Sequence, residues 1–248
     1  MEVAGRLRDA ELSAERAVHL LERIYPPEHP MLLRPLEVLA AARFEQGKMA
    51  TAREAIQRMQ AIRVERPRDM ALVQSTSAAL LQAEGRRGEA ESAHLAAIDS
   101  WRVAGDETAE LGVAMVSLAS VYIQEKRFKE AKQALDRALP ILLAAPDAVP
   151  LDMVKVLYGR AVLQSRHAEW LEAERNLQNA VAIAERYPRL SPVLMRRLLI
   201  DYAYVLRKNH HRTEARSIER RAEALAGNGL NNTVVDVPDL LAKVKSRK

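Results

Sequence analysis

The sequence predicts an all-α fold, a solenoid of stacked antiparallel helix pairs. Three observations carry this prediction. A short phrase recurs six times at a period near 42 residues, small residues recur at fixed helical spacings around it, and strand-type alternation is missing before the last twenty residues. The phrase is a turn residue, four residues, then Ala, usually with a charged residue after it. It starts at Gly5, Gly47, Gly85, Lys126, Ala168 and His210, and reaches Ala10, Ala52, Ala90, Ala131, Ala173 and Ala215. The alanines are spaced by about 42, 38, 41, 42 and 42 residues. Seven residues before the turn residues stand Ala40, Ala78, Ala119, Ala161 and Ala203. Seven after the repeated alanines stand Ala17, Met59, Ala97, Ala138, Ala180 and Ala222. Small side chains at helical spacing let two helix backbones approach closely, and Leu36, Leu39, Leu118, Leu135, Leu157, Leu177, Leu199 and Leu206 fill the rest of each stripe.

Each unit reads as helix, tight turn, helix. The first helices are expected over 33–46, 71–84, 109–125, 151–166 and 192–208, and the second helices over 8–24, 49–64, 87–103, 129–144, 170–186 and 212–226. Proline punctuates the links at Pro26, Pro27, Pro30, Pro67, Pro146, Pro150, Pro188 and Pro192, because it stops a helix before it and suits the first turn of the next. The expected organisation is a solenoid over 1–227, six units with the first incomplete, then a cap and basic tail over 228–248. Val234, Val235 and Val237 are expected to cover the last pair, and Pro238 to open a short helix. The opening unit starts with its second helix, so a shortened start, self-association and an unusual cap all stay open.

Composition narrows the function. The 248 residues are 48% hydrophobic but only 4% aromatic, so the core must be built from Ala, Leu, Val, Ile and Met. The net charge of +5 favours acidic partners without implying nucleic acid. The chain has no cysteine, which excludes disulfides and thiolate chemistry. No stretch reaches the length of a membrane span, and the first ten residues lack the apolar segment of a signal peptide, so a cytoplasmic protein is expected. No phosphate loop or nucleophile elbow is found, so no enzyme, cofactor or metal is expected. The neighbours His210 and His211 point about 100° apart on a helix and do not make a zinc pair with Glu214. Arg86, Arg87, Arg196, Arg197, Arg220 and Arg221 offer phosphate contacts, but the units lack the base-reading pattern of RNA-binding repeats.

The pattern of small residues around each turn resembles the tetratricopeptide repeat. Its 42-residue period, with Pro27-Glu28-His29-Pro30 between the first two units, resembles the kinesin-light-chain-like type found in many bacterial proteins. The resemblance covers residues 4–227. It implies a superhelical solenoid whose first helices line a groove for peptides or partner proteins. That type often carries an Asn pair midway along each first helix to clamp a peptide backbone. The matching places here are Glu37-Val38, Ser75-Thr76, Val116-Ser117, Tyr158-Gly159 and Ile200-Asp201, none of which holds Asn.

The helical period puts Arg34, Glu37 and Phe44 on the groove wall in the first complete pair, and Ser75 and Gln82 in the next. Val116 and Ile123 follow, then Lys155, Tyr158 and Arg166, then Arg197, Tyr204, Arg207 and Lys208. The middle is small and apolar, while five cations and two tyrosines gather toward the carboxyl end. This suits a peptide with an apolar middle and an acidic end, against the plainer alternative of solvated cations on a basic surface. The expected function is a protein- or peptide-binding scaffold. An oligomerisation module, and a peptide-sensing regulator acting with a separate output protein, are the alternatives. Monomer and homodimer through the incomplete first unit both remain open.

Overall fold

The computed structural model describes residues 2–105, 108–145, 149–186 and 192–226. Among them are eleven α-helices, one 3-10 turn and no strand. The helices are α1 (Glu2–Glu22), α2 (Leu33–Glu45), α3 (Met49–Ala61), α4 (Pro67–Ala83), α5 (Arg87–Val103) and α6 (Ala109–Gln124). They continue as α7 (Phe128–Ala144), α8 (Pro150–Arg166), α9 (Trp170–Arg186), α10 (Pro192–Lys208) and α11 (Arg212–Ala226). The 3-10 turn spans Pro30–Leu32. The described helices fall into two compact bodies, α1–α5 and α6–α11. In the first, α2 pairs with α3 and α4 with α5, while α1 packs on α2. In the second, α6–α7, α8–α9 and α10–α11 are the pairs, and α9 also packs on α10.

The recurring phrase has a direct structural meaning. Its turn residue is the one that adopts a left-handed backbone: Gly47 (φ 74°), Gly85 (φ 75°), Lys126 (φ 63°), Ala168 (φ 58°) and His210 (φ 65°). This conformation lets the next amide turn back and bond a carbonyl one turn inside the first helix. The pairs are Lys48 to Arg43, Arg86 to Leu81, Arg127 to Tyr122, Glu169 to Gln164 and His211 to Leu206, at 2.8–2.9 Å. The carbonyls of the five donor residues then accept from Ala52, Ala90, Ala131, Ala173 and Ala215, opening the second helix. Each of these alanines is fully buried. The first-helix alanines Ala40, Ala78, Ala119, Ala161 and Ala203 are buried too, as are Met59, Ala97, Ala138, Ala180 and Ala222. The small residues are therefore the contact surface of each pair.

Several boundaries differ from expectation, among them the end of α3, which stops at Ala61 and not at 64. Gly5 lies inside α1 instead of making a turn, and α1 reaches back to Glu2 and stops at Glu22. With no first helix beside them among the described residues, Ala10 and Ala17 are only half-buried, unlike their equivalents. Helix α4 starts at Pro67, not near 71, because proline fits the first helical position, where no intrahelical N–H is required. The expected cap around Val234, Val235 and Val237 and the helix from Pro238 lie outside the described residues.

Two glycines set the closest approaches in the second body. A Cβ on Gly112 would stand 2.6 Å from Leu142 Cγ, and one on Gly159 would stand 3.0 Å from Leu135 Cδ1. In the first body, His94 is buried in α5 with no hydrogen-bond partner at either ring nitrogen among the described residues. Burial pushes its value down from 6.5 to about 4, so it is neutral in the fold.

Candidate functional site: the first-helix faces

The predicted wall residues all fall on first helices, but they differ sharply in what is left to meet a partner. In the first body, Arg34 Nη1 donates to Glu37 Oε2 at 3.1 Å, Phe44 is half-buried, and Ser75 Oγ is enclosed. Gln82 is half-buried. In the second body, Val116 is 8% exposed and Ile123 only 1%, so Ile123 belongs to the core. The expected apolar middle of the wall is therefore largely packed away at α6.

Farther along the second body, the structure brings Tyr158, Asp201 and Arg197 together. Tyr158 is buried on α8, and its hydroxyl donates to Asp201 Oδ2 on α10 at 2.6 Å. Arg197 Nε donates to the same oxygen at 2.9 Å from one turn earlier on α10. Burial, with the Asp201 charge beside it, pushes the Tyr158 phenol well above its ordinary value, so it stays protonated and donating. Burial, the largest single influence on Arg197, lowers its value, but the charge of Asp201, the neighbouring Tyr158 and the hydrogen bonds to them together raise it. Asp201 was not among the predicted wall residues. Its signal was present, since it occupies the second place of the Ile200-Asp201 pair. Beside this cluster Ile200 is 41% exposed.

The cations sort into two kinds. Lys155 Nζ stands 3.6 Å from Asp152, and Arg207 makes a two-point contact to Glu219 on α11 at 2.7 and 2.6 Å. Arg166 and Lys208 meet aromatic rings instead. The Arg166 guanidinium lies 4.2 Å from the centre of the Phe128 ring. Lys208 Nζ lies 5.6 Å from the Trp170 ring and 5.5 Å from Tyr204, and the two rings meet edge to face at 6.1 Å. Arg166 and Lys208 hold the same repeat position, the last residue of α8 and of α10, and Phe128 and Trp170 are the first residues of α7 and α9. An aromatic face attracts the cation without cancelling its charge. The helix carboxyl ends favour positive charge at the same place.

The histidines do not form a metal centre. His211 Nδ1 sits 3.1 Å from Glu174 Oε1, whereas Glu214 accepts from the Tyr202 hydroxyl at 3.3 Å. No group of three or more acidic, histidine or cysteine side chains among the described residues can hold a metal ion. His29 Nδ1 accepts from the Met31 amide at 3.2 Å and stacks on Tyr25, holding the proline-rich link. No described helix is long and apolar enough to cross a membrane.

Helix pairs stacked in sequence order, closed by left-handed turns and buried alanines, define a helical-repeat solenoid. Residues 69–144 match the family described as tetratricopeptide repeat. Among solved structures, BtubC (BKLC) from P. vanneervenii is similar at a TM-score of 0.68 and 22% identity, over 93% of this chain and 95% of that one. A Podosopora anserina chain of kinesin-light-chain type with nearly identical TPR-like repeats is similar at 0.58 and 20% identity, over 83% of this chain and 100% of that one. A point variant of that Podosopora anserina chain is similar at 0.59 and 20%, over 80% and 96%. No curated protein matches the sequence. Residues 69–144 therefore carry tetratricopeptide repeats, and the chain shares the helical-solenoid fold of the kinesin-light-chain-like repeat structures.

Proposed function

We infer that this is a cytoplasmic scaffold without catalytic activity that holds a protein or peptide against its first-helix faces. The observation that carries the reading is the pair Arg166 and Lys208. Both are exposed, both are held in place by rings, and neither is neutralised by a carboxylate among the described residues. Neighbouring helices in such a stack lie about 10 Å apart. Three residues of extended chain span roughly the same distance. The pair therefore suits a segment with two acidic side chains three residues apart. The exposed Ile200, about two turns before Lys208 on α10, suits an apolar residue farther along the same segment.

The test is capture of partners from the native lysate on immobilised protein, at low and high salt, with wild type, R166Q/K208Q and R207Q. Proteins held by wild type and R207Q but lost from R166Q/K208Q support the reading. An identical captured set on all three refutes it. Capture that collapses with salt and is replaced by duplex DNA indicates phosphate binding instead.

The half-buried Ala10 and Ala17 of α1 favour a second reading, self-association through that face. Light scattering separates the two. A mass of one chain across the micromolar range removes the dimer.

A further inference from the structure

We propose that the solvent face of α11 docks an acidic helix of a partner protein through a row of three arginines. Arg212, Arg216 and Arg220 are all exposed. Residues four apart on a helix advance about 6 Å and turn by about 40°. The three therefore form one strip about 12 Å long, well away from the buried face of Ala215, Ile218 and Ala222.

No ion pair among the described residues neutralises this strip. Nearby Arg197, Arg207 and Arg221 are each met by a carboxylate, namely Asp201, Glu219 and Glu185. Arg212, Arg216 and Arg220 have no such direct pairing among the described residues. Glu219 feels the Arg216 charge only as the weakest of its influences, while its oxygens are held by Arg207. Glu214, likewise on α11, is engaged with Tyr202. Arg212 is also the first residue of α11, where the helix dipole disfavours positive charge. An incoming anion would offset that cost.

The flank of the row points to a helix as the occupant. Thr213, Ser217 and Ala224 lie beside the arginines, exposed and short, so a second helix axis can come close. Carboxylates placed every fourth residue on that helix repeat at the same pitch of about 6 Å and meet the guanidiniums one to one. A nucleic-acid backbone fits less well, because the net charge of the chain is only +5 and its long-range attraction for a polyanion is weak. The proposal is independent of the first-helix faces.

The test uses the full chain and an acetylated, fluorescein-labelled alanine helix of about 17 residues with Glu at every fourth position. Binding is read by fluorescence anisotropy at low salt. Wild type is expected to bind it and to ignore the same helix with Gln. R212Q/R216Q/R220Q is expected to weaken binding about tenfold, from three partly exposed ion pairs. R166Q/K208Q is expected to leave it unchanged. Replacing the three arginines with Glu is expected to reverse selectivity toward a helix carrying Lys. A melting curve checks folding, and the single change R216Q, expected to cost about twofold, stands in if the triple variant is unfolded. The proposal is overturned if the Glu helix does not bind wild type at millimolar concentration. It is also overturned if the arginine variants bind equally well, or if a short DNA duplex binds more tightly than the helix.

Discussion

Gly112→Ala should destabilise the protein, although alanine is ordinarily the better helix former. In an exposed helix the exchange gains about 1 kcal/mol. Here the added Cβ would stand 2.6 Å from Leu142 Cγ and 2.9 Å from its Cδ2. Carbon atoms in good contact lie about 3.5–4.0 Å apart, so the groups must separate by roughly 1 Å. Leu142 cannot comply by swinging only its tip, because the closest atom is Cγ, and the side chain is 2% exposed. Either its rotamer changes or α6 moves off α7. Overpacking of this kind costs about 1–3 kcal/mol, so the net loss is about 0–2 kcal/mol after the propensity gain, and about 1–3 kcal/mol relative to a helical glycine with open space around it. Urea denaturation followed by helical circular dichroism measures it. Gly88 is the control, since a Cβ there meets nothing within 4 Å, and Gly88→Ala should be neutral or mildly stabilising. Leu142→Ala alone should cost about 2–5 kcal/mol. In the double variant the methyl group added on α6 enters the space vacated by Leu142, so the combined loss should fall short of the sum of the two. A Gly112→Ala protein as stable as Gly88→Ala would refute the close approach as the reason for glycine.

Acid should unfold the protein partly through His94. Its folded value of about 4 lies below the ordinary 6.5, so its contribution is complete above pH 6.5 and is lost as pH falls toward 4. The loss by pH 4 is of order 3 kcal/mol, and a His94→Leu variant should show a flatter stability profile between those values. Ala168→Gly should gain about 1 kcal/mol, because Ala168 holds a left-handed backbone at φ 58°, and a melting curve reads it. Tyr158→Phe should cost about 1.5–3 kcal/mol by removing a buried bond to a charged carboxylate, measured by urea denaturation.

Much of the fold was legible because its signal is local and repeated. A left-handed turn, the amide that bonds back across it and the buried alanine that follows all lie within a few consecutive residues, so one phrase encodes the whole hairpin. The phrase failed at Gly5, where the flanking helix-forming residues carry α1 straight through. The candidate wall was legible only as a set of positions. Which side chains stay available depends on contacts 12 to 43 residues away, as for Arg207 with Glu219 and Tyr158 with Asp201. Helical period places those residues on a face, but it says nothing of what the neighbouring pair presents to them. The repeat register could have found Arg166 on Phe128 and Lys208 on Trp170. Each pair is 38 residues apart, and the same two positions hold a cation and an aromatic in consecutive units.

The substitutions midway along the first helices bear on how this protein would tell partners apart. In the type that the sequence resembles, an Asn pair is expected to clamp a peptide backbone, a contact that does not depend on side-chain identity. Here two of the equivalent places hold Tyr158 and Asp201, and these bind each other, with Arg197 completing the cluster. Opening that cluster to receive a backbone would expose a buried carboxylate to an incomplete set of donors, at a cost of several kcal/mol. A partner on this face therefore gains most from what stands beyond the cluster. That is the side chain of Ile200 and the charges of Arg166 and Lys208, raised on their rings. On this reading recognition shifts from main chain to side chain. Exchanging acidic residues of a bound segment should then abolish binding, while a retro-sequence of the same composition with its acidic spacing kept should retain part of it.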